Sequence, residues 1–183
     1  MNHADLVYPN LYVGEWSASG DAQFLKDNGI TYVLNVCAQS SKIHHLNNPP
    51  VTYTHVPIYD EQDEVIRLHF DVCHAFIDLG RKDGSSVLMH CPQGVSRSPT
   101  VVNAYIMSRD VKLRSRDQAC DHVKAQRSVV WPNPGFMMDL QYFEKQLNSP
   151  AGENQDNTRD LRLISKRANW RSNGLFAIST SAH

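Results

Sequence analysis

The sequence predicts an α/β fold in which a short, mostly parallel sheet is flanked by helices. Apolar runs of strand length, such as residues 31–36 and 87–89, alternate with longer segments whose apolar residues recur at helical spacing, such as residues 64–79. A cluster of helical segments then ends the predicted domain between Ser115 and Leu147. Such alternation is typical of sheets covered by helices, with the functional site at the carboxyl ends of the strands.

The predicted strands are short, rich in β-branched and aromatic residues, and bounded by turn residues. Pro9 and Asn10, for example, separate the first two of them. The last strand is apolar throughout, as expected of a strand that is buried on both faces. The predicted strands span residues 6–8, 11–13, 31–36, 53–58 and 87–89.

The predicted helices carry apolar residues that recur every three or four positions. Gly80 directly follows one of them and is predicted to end it, since glycine is common just past a helix. Ser115 opens another with the spacing of a capping box. In the helix after residue 97, the apolar residues predict one buried side. The predicted helices lie within residues 20–29, 64–79, 98–109, 115–127 and 136–147.

Length and composition predict one domain followed by a tail. Residues 1–147 are enough to bury roughly two-thirds of the surface of the unfolded chain. From residue 148 onward the composition shifts to Ser, Asn, Gly, Asp and Arg, so we predict that residues 148–183 form a polar, mostly disordered C-terminal tail. A short apolar and basic stretch between Leu161 and Arg171 leaves open the alternative that the tail docks on a partner protein.

Charge and cysteine content narrow the class of protein. The formal net charge is −1 and the charges are mixed along the chain, which argues against a dedicated nucleic-acid binder. No apolar segment reaches membrane-spanning length. The four cysteines are irregularly spaced and form no CxxC pair, so we expect free thiols and no metal or other cofactor. These features predict a soluble protein of the cytoplasm or nucleus.

The loop between the strand at 87–89 and the helix after it is where the sequence predicts the chemistry. The first turn of a helix offers free N–H groups and the positive end of the helix dipole, which together favour an anion. Gly94 allows positive φ, so successive loop amides can converge on one oxyanion. Arg97 adds a planar guanidinium whose paired donors match two phosphate oxygens. The predicted phosphate-binding residues are Pro92, Gln93, Gly94, Val95, Ser96 and Arg97.

Cys91 begins this loop and is the predicted nucleophile. The helix dipole, the amides and Arg97 are expected to favour its thiolate form at neutral pH, and a thiolate that faces a bound phosphate can attack phosphorus. Ser98 is predicted to hydrogen-bond the sulfur when it leaves, and His90 to brace the loop from behind. The alternative is a buried structural cysteine, which the glycine and arginine at fixed spacing after it disfavour.

The motif His-Cys, five residues, then Arg-Ser, which here runs from His90 to Ser98, resembles the signature of the cysteine-dependent protein phosphatases and is similar to that of their dual-specificity branch. Residues 127–140, RSVVWPNPGFMMDL, are similar to the segment that closes dual-specificity domains. The resemblance covers about residues 5–147 and implies a protein-tyrosine-phosphatase-like fold. It also implies that Asn133 helps to hold the loop from Cys91 to Arg97, the phosphate loop, and the acidic loop at residues 59–64, the acid loop.

A second group is needed to protonate the leaving oxygen of a phosphomonoester. The acidic loop at residues 59–64 is expected to supply it, and Asp60 matches the position of the family's general acid. Asp63 is the second candidate. The alternative interpretation is that these acids cap the next helix, with Asp63 as the N-cap.

The resemblance implies a phosphoprotein phosphatase that hydrolyses phosphotyrosine and phosphoserine or phosphothreonine through a phosphocysteine intermediate. Uncharged residues between Cys91 and Arg97 favour a phosphoprotein over an inositol lipid, because lipid-specific relatives carry lysines there. Pro92 has no N–H and so removes one donor, which motivates a catalytically weak phosphate-binding scaffold as the alternative. An RNA or nucleotide 5′-phosphatase is a further alternative.

Cys37 is a candidate redox partner. The run from Leu34 to Ala38 resembles the strand end that presents a second cysteine to the nucleophile in the family's lipid phosphatases. A reactive thiolate oxidises readily, and a nearby thiol can trap the product as a reversible disulfide. We therefore predict a peroxide-induced bond between Cys91 and Cys37, with an inert core cysteine as the alternative.

Overall fold

A five-stranded sheet organises the part of the chain that the structure, a computed structural model, describes: residues 3–39 and 50–149. The strands are β1 (Ala4–Tyr8), β2 (Leu11–Glu15), β3 (Ile30–Asn35), β4 (Thr52–His55) and β5 (Ser86–Cys91). The helices are α1 (Ala22–Asp27), α2 (Phe70–Lys82), α3 (Arg97–Arg109), α4 (Arg116–Gln126) and α5 (Pro134–Asn148). Short 3-10 turns lie at Trp16–Gly20, Ile66–His69 and Val111–Leu113.

The strand order is β1-β2-β5-β3-β4, with β5 at the centre. The last four strands in this order are parallel, and β1 pairs with β2 in the antiparallel sense at one edge. Glu15 pairs with Cys91 and Asn35 pairs with His90, so the ends of β2, β3 and β5 lie at the same edge of the sheet. The predicted α/β fold with a short, mostly parallel sheet is therefore confirmed, and the loop after β5 lies at its centre.

Helix α3 is buried all round. Every residue from Ser98 to Met107 is buried, because the helix contacts β2 and β5 on one side and α2, α4 and α5 around the rest. The prediction of a single buried side for this helix was wrong, since its polar residues Ser98, Thr100 and Asn103 are fully buried as well. The helix that begins at the predicted phosphate loop is thus the centre of the core.

One alternative interpretation and one prediction for the segment before β5 were also wrong. Helical structure there begins with a 3-10 turn after Val65, which has no side-chain cap, so Asp63 is not an N-cap. Helix α2 then continues through Gly80 to Lys82. A Cβ at Gly80 would lie 2.6 Å from Val87 Cγ2 and 2.8 Å from Tyr32 Cγ, so this glycine brings the helix close to the sheet and does not end it.

The closing helices agree with the sequence pattern. Ser115 and Gln118 form the predicted capping box of α4, and α5 begins with Asn133 as its cap and Pro134 in its first turn. Residues 150–183 lie outside the described residues, so the domain boundary near residue 147 and the disordered tail stay predictions. Of the helices in the described ranges, none is both long and apolar enough to cross a membrane.

His74, on α2, lies among aromatic rings in the core. Its ring stacks on Phe70 at 5.7 Å and meets the edges of Tyr105 and Phe143. Burial lowers the pKa of His74 to about 4; Arg109 acts in the same direction, whereas the Val101 backbone and Asp78 act against it. His74 is therefore neutral in the folded protein at any pH above this value.

Replacing His74 with phenylalanine should remove part of the acid sensitivity of the fold. The unfolded chain binds a proton at this histidine below about pH 6.5 and the folded chain does so only near pH 4, so stability falls as pH falls between these values. Between pH 7 and 5 we expect the free energy of unfolding to drop by about 2 kcal/mol more in the unsubstituted protein than in His74→Phe. Urea unfolding at both pH values measures this.

The matched control is Cys73→Ala, at a neighbouring buried position whose thiol does not titrate in this range because burial raises its pKa to about 12. This variant should lose stability equally at pH 7 and pH 5. Equal pH dependence in His74→Phe and the unsubstituted protein would contradict the account of His74.

Candidate active site

The loop that joins β5 to α3 is held from outside, because surrounding residues donate hydrogen bonds to its backbone carbonyls. The backbone N–H of Trp16 donates to Pro92 O at 3.4 Å, and the backbone N–H of Trp131 donates to Val95 O at 2.8 Å. Between them, the Arg127 guanidinium donates to Gln93 O at 3.2 Å and Gly94 O at 3.0 Å. Four successive carbonyls of the loop are therefore turned towards the surrounding framework.

This arrangement also fixes the direction of four N–H groups. In a planar trans peptide the N–H points away from the C=O of the same unit. The N–H groups that follow the four held carbonyls therefore point away from the framework and into the loop, and they belong to Gln93, Gly94, Val95 and Ser96. Such a set of converging amides can receive an oxyanion.

Gly94 is needed in this loop for its conformation and for its size. Its φ is +64°, in the left-handed region that favours glycine. A Cβ there would lie 2.6 Å from the backbone C and O of Gly14 and 2.9 Å from Arg127 Nη2. The positive φ predicted from the sequence is confirmed, and the loop packs directly against β2.

Cys91, the last residue of β5, lies at the base of the loop with only 1% of its surface exposed. The Ser98 hydroxyl, itself fully buried, donates to Cys91 Sγ at 3.2 Å. Helix α3 begins at Arg97 with no acidic residue in its first turn and no side-chain cap, so its positive end is open to an anion. The sulfur, the amides and the helix N-terminus thus meet at one place.

His90 lies directly behind Cys91 and is fully buried. Its carbonyl accepts a hydrogen bond from the N–H of Val36 at 2.9 Å, which ties β5 to β3 at the base of the loop. Burial lowers the pKa of its imidazole to about 4, with His55 acting in the same direction and the Cys91 backbone against it. The ring is therefore neutral at physiological pH.

Asp60 lies on the loop after β4 and contacts the phosphate loop directly. Its Oδ1 accepts a hydrogen bond from Ser96 Oγ at 2.6 Å, and its Oδ2 lies 3.5 Å from Arg97 Nε. Arg97 also donates to Ile58 O at 3.3 Å. About a third of the Asp60 side chain is exposed, so a carboxyl group lies at the rim of the loop.

Asn133 joins these two loops to the start of α5. Its backbone N–H donates to Ser96 Oγ at 3.2 Å, and its Nδ2 donates to Asp60 Oδ1 at 2.9 Å and to Glu61 O at 3.4 Å. Its Oδ1 accepts the N–H of Phe136 and so caps the helix. The residue that the resemblance implied as a support therefore contacts both loops.

Cys37 lies just past the end of β3, buried and close enough to the loop for Cys91 and Arg97 to affect its titration. Burial raises the pKa of the Cys37 thiol to about 11; Cys91 acts in the same direction and Arg97 against it. Cys37 is therefore a protonated thiol at neutral pH. All four cysteines are free, and the disulfide with Cys91 stays a prediction.

Arg127 is a site residue that the sequence analysis did not single out. It is 6% exposed, and besides the two loop carbonyls it bonds Asp5 Oδ2 at 2.7 Å. In sequence it is one arginine at the end of a helix, and no local pattern separates it from an exposed one. Only the resemblance of the segment that it begins pointed to this position.

Metal ligation has no candidate in the described part of the chain: no group of three or more His, Cys, Asp or Glu side chains there could hold an ion. The groups that face into the loop are the amides from Gln93 to Ser96, which donate, and the Asp60 carboxyl group lies at the rim. This arrangement can bind a tetrahedral oxyanion, place a sulfur beneath it and present a carboxyl group to its outer oxygen.

Comparison with known proteins identifies the family. Residues 11–146 match the family described as "Dual specificity phosphatase, catalytic domain". The chain is 36% identical over 146 residues to dual specificity protein phosphatase 1 of Arabidopsis thaliana, covering 80% of this chain and 71% of that protein. It is 35% identical to human protein phosphatase Slingshot homolog 3, covering 78% of this chain but only 21% of that protein. The crystal structure of human DUSP28 matches with a TM-score of 0.74 at 32% identity, covering 81% of this chain and 97% of that one.

Replacing Arg127 with methionine should weaken the binding of inorganic phosphate by about tenfold to a hundredfold. The substitution frees the carbonyls of Gln93 and Gly94, so the amides that follow them are no longer held in one direction. Calorimetric titration with phosphate measures the change. Arg116→Met removes an arginine that, among the described residues, is seen paired with its neighbour Asp117 on α4; this variant is the control and should bind phosphate normally. Unchanged affinity in a folded Arg127→Met protein would contradict this role.

Proposed function

The chain belongs to the dual specificity phosphatase family, and we propose that it hydrolyses phosphotyrosine and phosphoserine or phosphothreonine in proteins through a phosphocysteine intermediate on Cys91. The single observation that carries this proposal is that Cys91, bonded by the Ser98 hydroxyl, begins a loop whose four successive carbonyls are held outward, which turns the amides that follow them inward. Each of these groups has a chemical task in phosphoryl transfer.

In the first step the Cys91 thiolate attacks phosphorus. The S–P bond forms as the bond from phosphorus to the leaving oxygen breaks, and Asp60, in its acid form, gives its proton to that oxygen. The loop amides and Arg97 bind the equatorial oxygens, where negative charge is held throughout the transfer. The position of Asp60 at the rim, 3.5 Å from Arg97, supports this division of roles.

In the second step water hydrolyses the phosphocysteine. Asp60, now a carboxylate, takes a proton from the attacking water, and the sulfur leaves as a thiolate. The Ser98 hydroxyl, 3.2 Å from Sγ, donates a hydrogen bond to the departing sulfur and so lowers the barrier of this step. His90 acts through the backbone by holding β5 against β3 and does not exchange protons, since it is neutral and buried.

A phosphoprotein substrate is favoured by the surface around the loop. Residues 92–96 are uncharged and offer no extra cation for a polyphosphorylated headgroup. Three exposed aromatic residues adjoin the site: Trp16 and Trp131, whose N–H groups hold the loop, and Tyr59, which precedes Asp60. Apolar rings beside a phosphate site suit the side chains of a peptide.

The alternative to an enzyme is a phosphate-binding scaffold with little turnover. The donor that the loop lacks at Pro92 motivates this alternative. Pro92 contributes no N–H, but the four amides from Gln93 to Ser96 remain inward and all three reacting side chains are present. These observations favour the enzyme. Binding of phosphopeptides without turnover would favour the scaffold, and preference for a 5′-phosphorylated RNA over phosphopeptides would favour the RNA 5′-phosphatase.

The proposed roles predict two different kinetic defects. Cys91→Ser should reduce turnover of a phosphotyrosyl peptide by at least about a thousandfold, because the nucleophile is lost. Asp60→Asn should reduce it by about a hundredfold or more, because the leaving oxygen is no longer protonated. Steady-state release of phosphate by the full chain measures both.

Asp63→Asn is the matched control, since it makes the same substitution at the second candidate acid. Its activity should stay within about threefold of the unsubstituted protein. A large loss in Asp63→Asn together with a small loss in Asp60→Asn would show that the acid has been assigned to the wrong residue. Full activity in Cys91→Ser would overturn the proposed function.

A further inference from the structure

The first turn of α5 lies against the acid loop with no room for a side chain at Gly135. A Cβ at this position would be 2.0 Å from Gln62 O, 2.7 Å from Gln62 C and 2.9 Å from Gln62 Cα. These three atoms belong to the backbone, so no flexible side chain can swing away to relieve the overlap. Gln62 is two residues beyond Asp60.

The same turn of α5 also bonds the acid loop directly. Asn133, two residues before Gly135, donates to Asp60 Oδ1 and to Glu61 O. Farther along α5, Asp139 forms an ion pair with Arg67 and accepts the Arg67 backbone N–H at 3.3 Å. The segment from residue 60 to residue 67 is therefore attached to one helix at both of its ends.

A glycine is needed at position 135 because it has no side chain, and not because of its backbone conformation. Gly135 lies within the first turn of α5 and does not have a positive φ, so alanine is compatible with its backbone and has a higher helix propensity. The three nearest obstacles to a side chain all belong to the Gln62 backbone. Restoring an ordinary contact of 3.4 Å would move the acid loop or the start of the helix by more than 1 Å.

We propose that Gly135 is a positioning residue for the general acid: its missing side chain sets the distance between α5 and the acid loop and so holds Asp60 at the rim of the phosphate loop. The inference rests on the proposed function. It assigns to Gly135 an effect on the two proton transfers of Asp60, and none on the attack by Cys91 or on the binding of phosphate. Attack by Cys91 and binding of phosphate depend on the loop from 91 to 97, whereas the three atoms nearest to a Cβ at Gly135 all belong to Gln62.

Gly135→Ala should therefore slow substrates according to their leaving group. Phenyl phosphate needs its oxygen protonated, and we expect kcat/KM, which reports the steps up to departure of the leaving group, to fall by about tenfold to a hundredfold, because a misplacement of 1 Å can cost about a hundredfold. p-Nitrophenyl phosphate has a stable leaving group, and its kcat/KM should fall by less than about threefold. Inhibition by inorganic phosphate should be unchanged.

The control is Gly20→Ala, at a glycine whose added Cβ would meet nothing within 4 Å and whose φ is not positive. It should leave both substrates unaffected. The decisive comparison is made in the Asp60→Asn background, where Gly135→Ala should cause no further loss, since both substitutions remove the same function. An equal fall in kcat/KM for both substrates, or a further loss of tenfold in that background, would overturn the proposal.

If Gly135→Ala does not fold, hydrogen exchange of the unsubstituted full chain tests whether α5 holds the acid loop in place. Amides of residues 60–64 held against α5 should exchange at least about tenfold more slowly than those of an unstructured peptide. Exchange at the unstructured rate would overturn the proposal. Failure of the proposed function is distinguishable, because it would appear as absent turnover in the unsubstituted protein or as an unaffected rate in Asp60→Asn.

Discussion

The carbonyls of the loop between β5 and α3 are held from outside, and this constraint determines what the inside of the loop can bind. Because each held carbonyl turns its partner N–H inward, a framework that contacts only the outer surface of the loop creates a donor site on the inner surface. Arg127 supplies two of these four contacts. Its charge is buried, and Asp5 together with the two carbonyls compensates it.

The second part of the site depends on one hydroxyl and one amide. Ser96 Oγ donates to Asp60 and accepts from the Asn133 backbone, so it joins the phosphate loop, the acid loop and α5. Asn133 completes the triangle with its bond to Asp60 and at the same time caps α5. The proposed nucleophile and the proposed acid come from separate segments of the chain, and their relative position is therefore set by the helix that follows both.

Local spacing was enough to predict the centre of this site. The strand, the loop with its positive-φ Gly94 and the helix that follows are adjacent in sequence, so their geometry is mostly local. The contact of Ser98 with Cys91 Sγ follows from the same short segment. The supporting role of Asn133 came from resemblance, since no local rule connects it with Asp60.

The features that the sequence analysis missed depend on contacts between distant segments. The sequence predicts Gly80 as a helix stop, because glycine is common just past the end of a helix. The close approach of Tyr32 and Val87 is what requires glycine there. Arg127 and Gly135 look ordinary in sequence, and each is defined by a neighbour far away along the chain. Helix α3 is buried all round because four other parts of the fold pack on it, which its own apolar pattern does not record.

The most direct test of this account is to identify the covalent intermediate. The full chain carrying Asp60→Asn is mixed with p-nitrophenyl phosphate, quenched in denaturant during turnover and digested, and the peptides are analysed by mass spectrometry. The account predicts a phosphoryl group on the sulfur of Cys91 and on no other residue. Turnover of the substrate with no phosphoryl adduct on Cys91, or with the adduct on a different side chain, would contradict it.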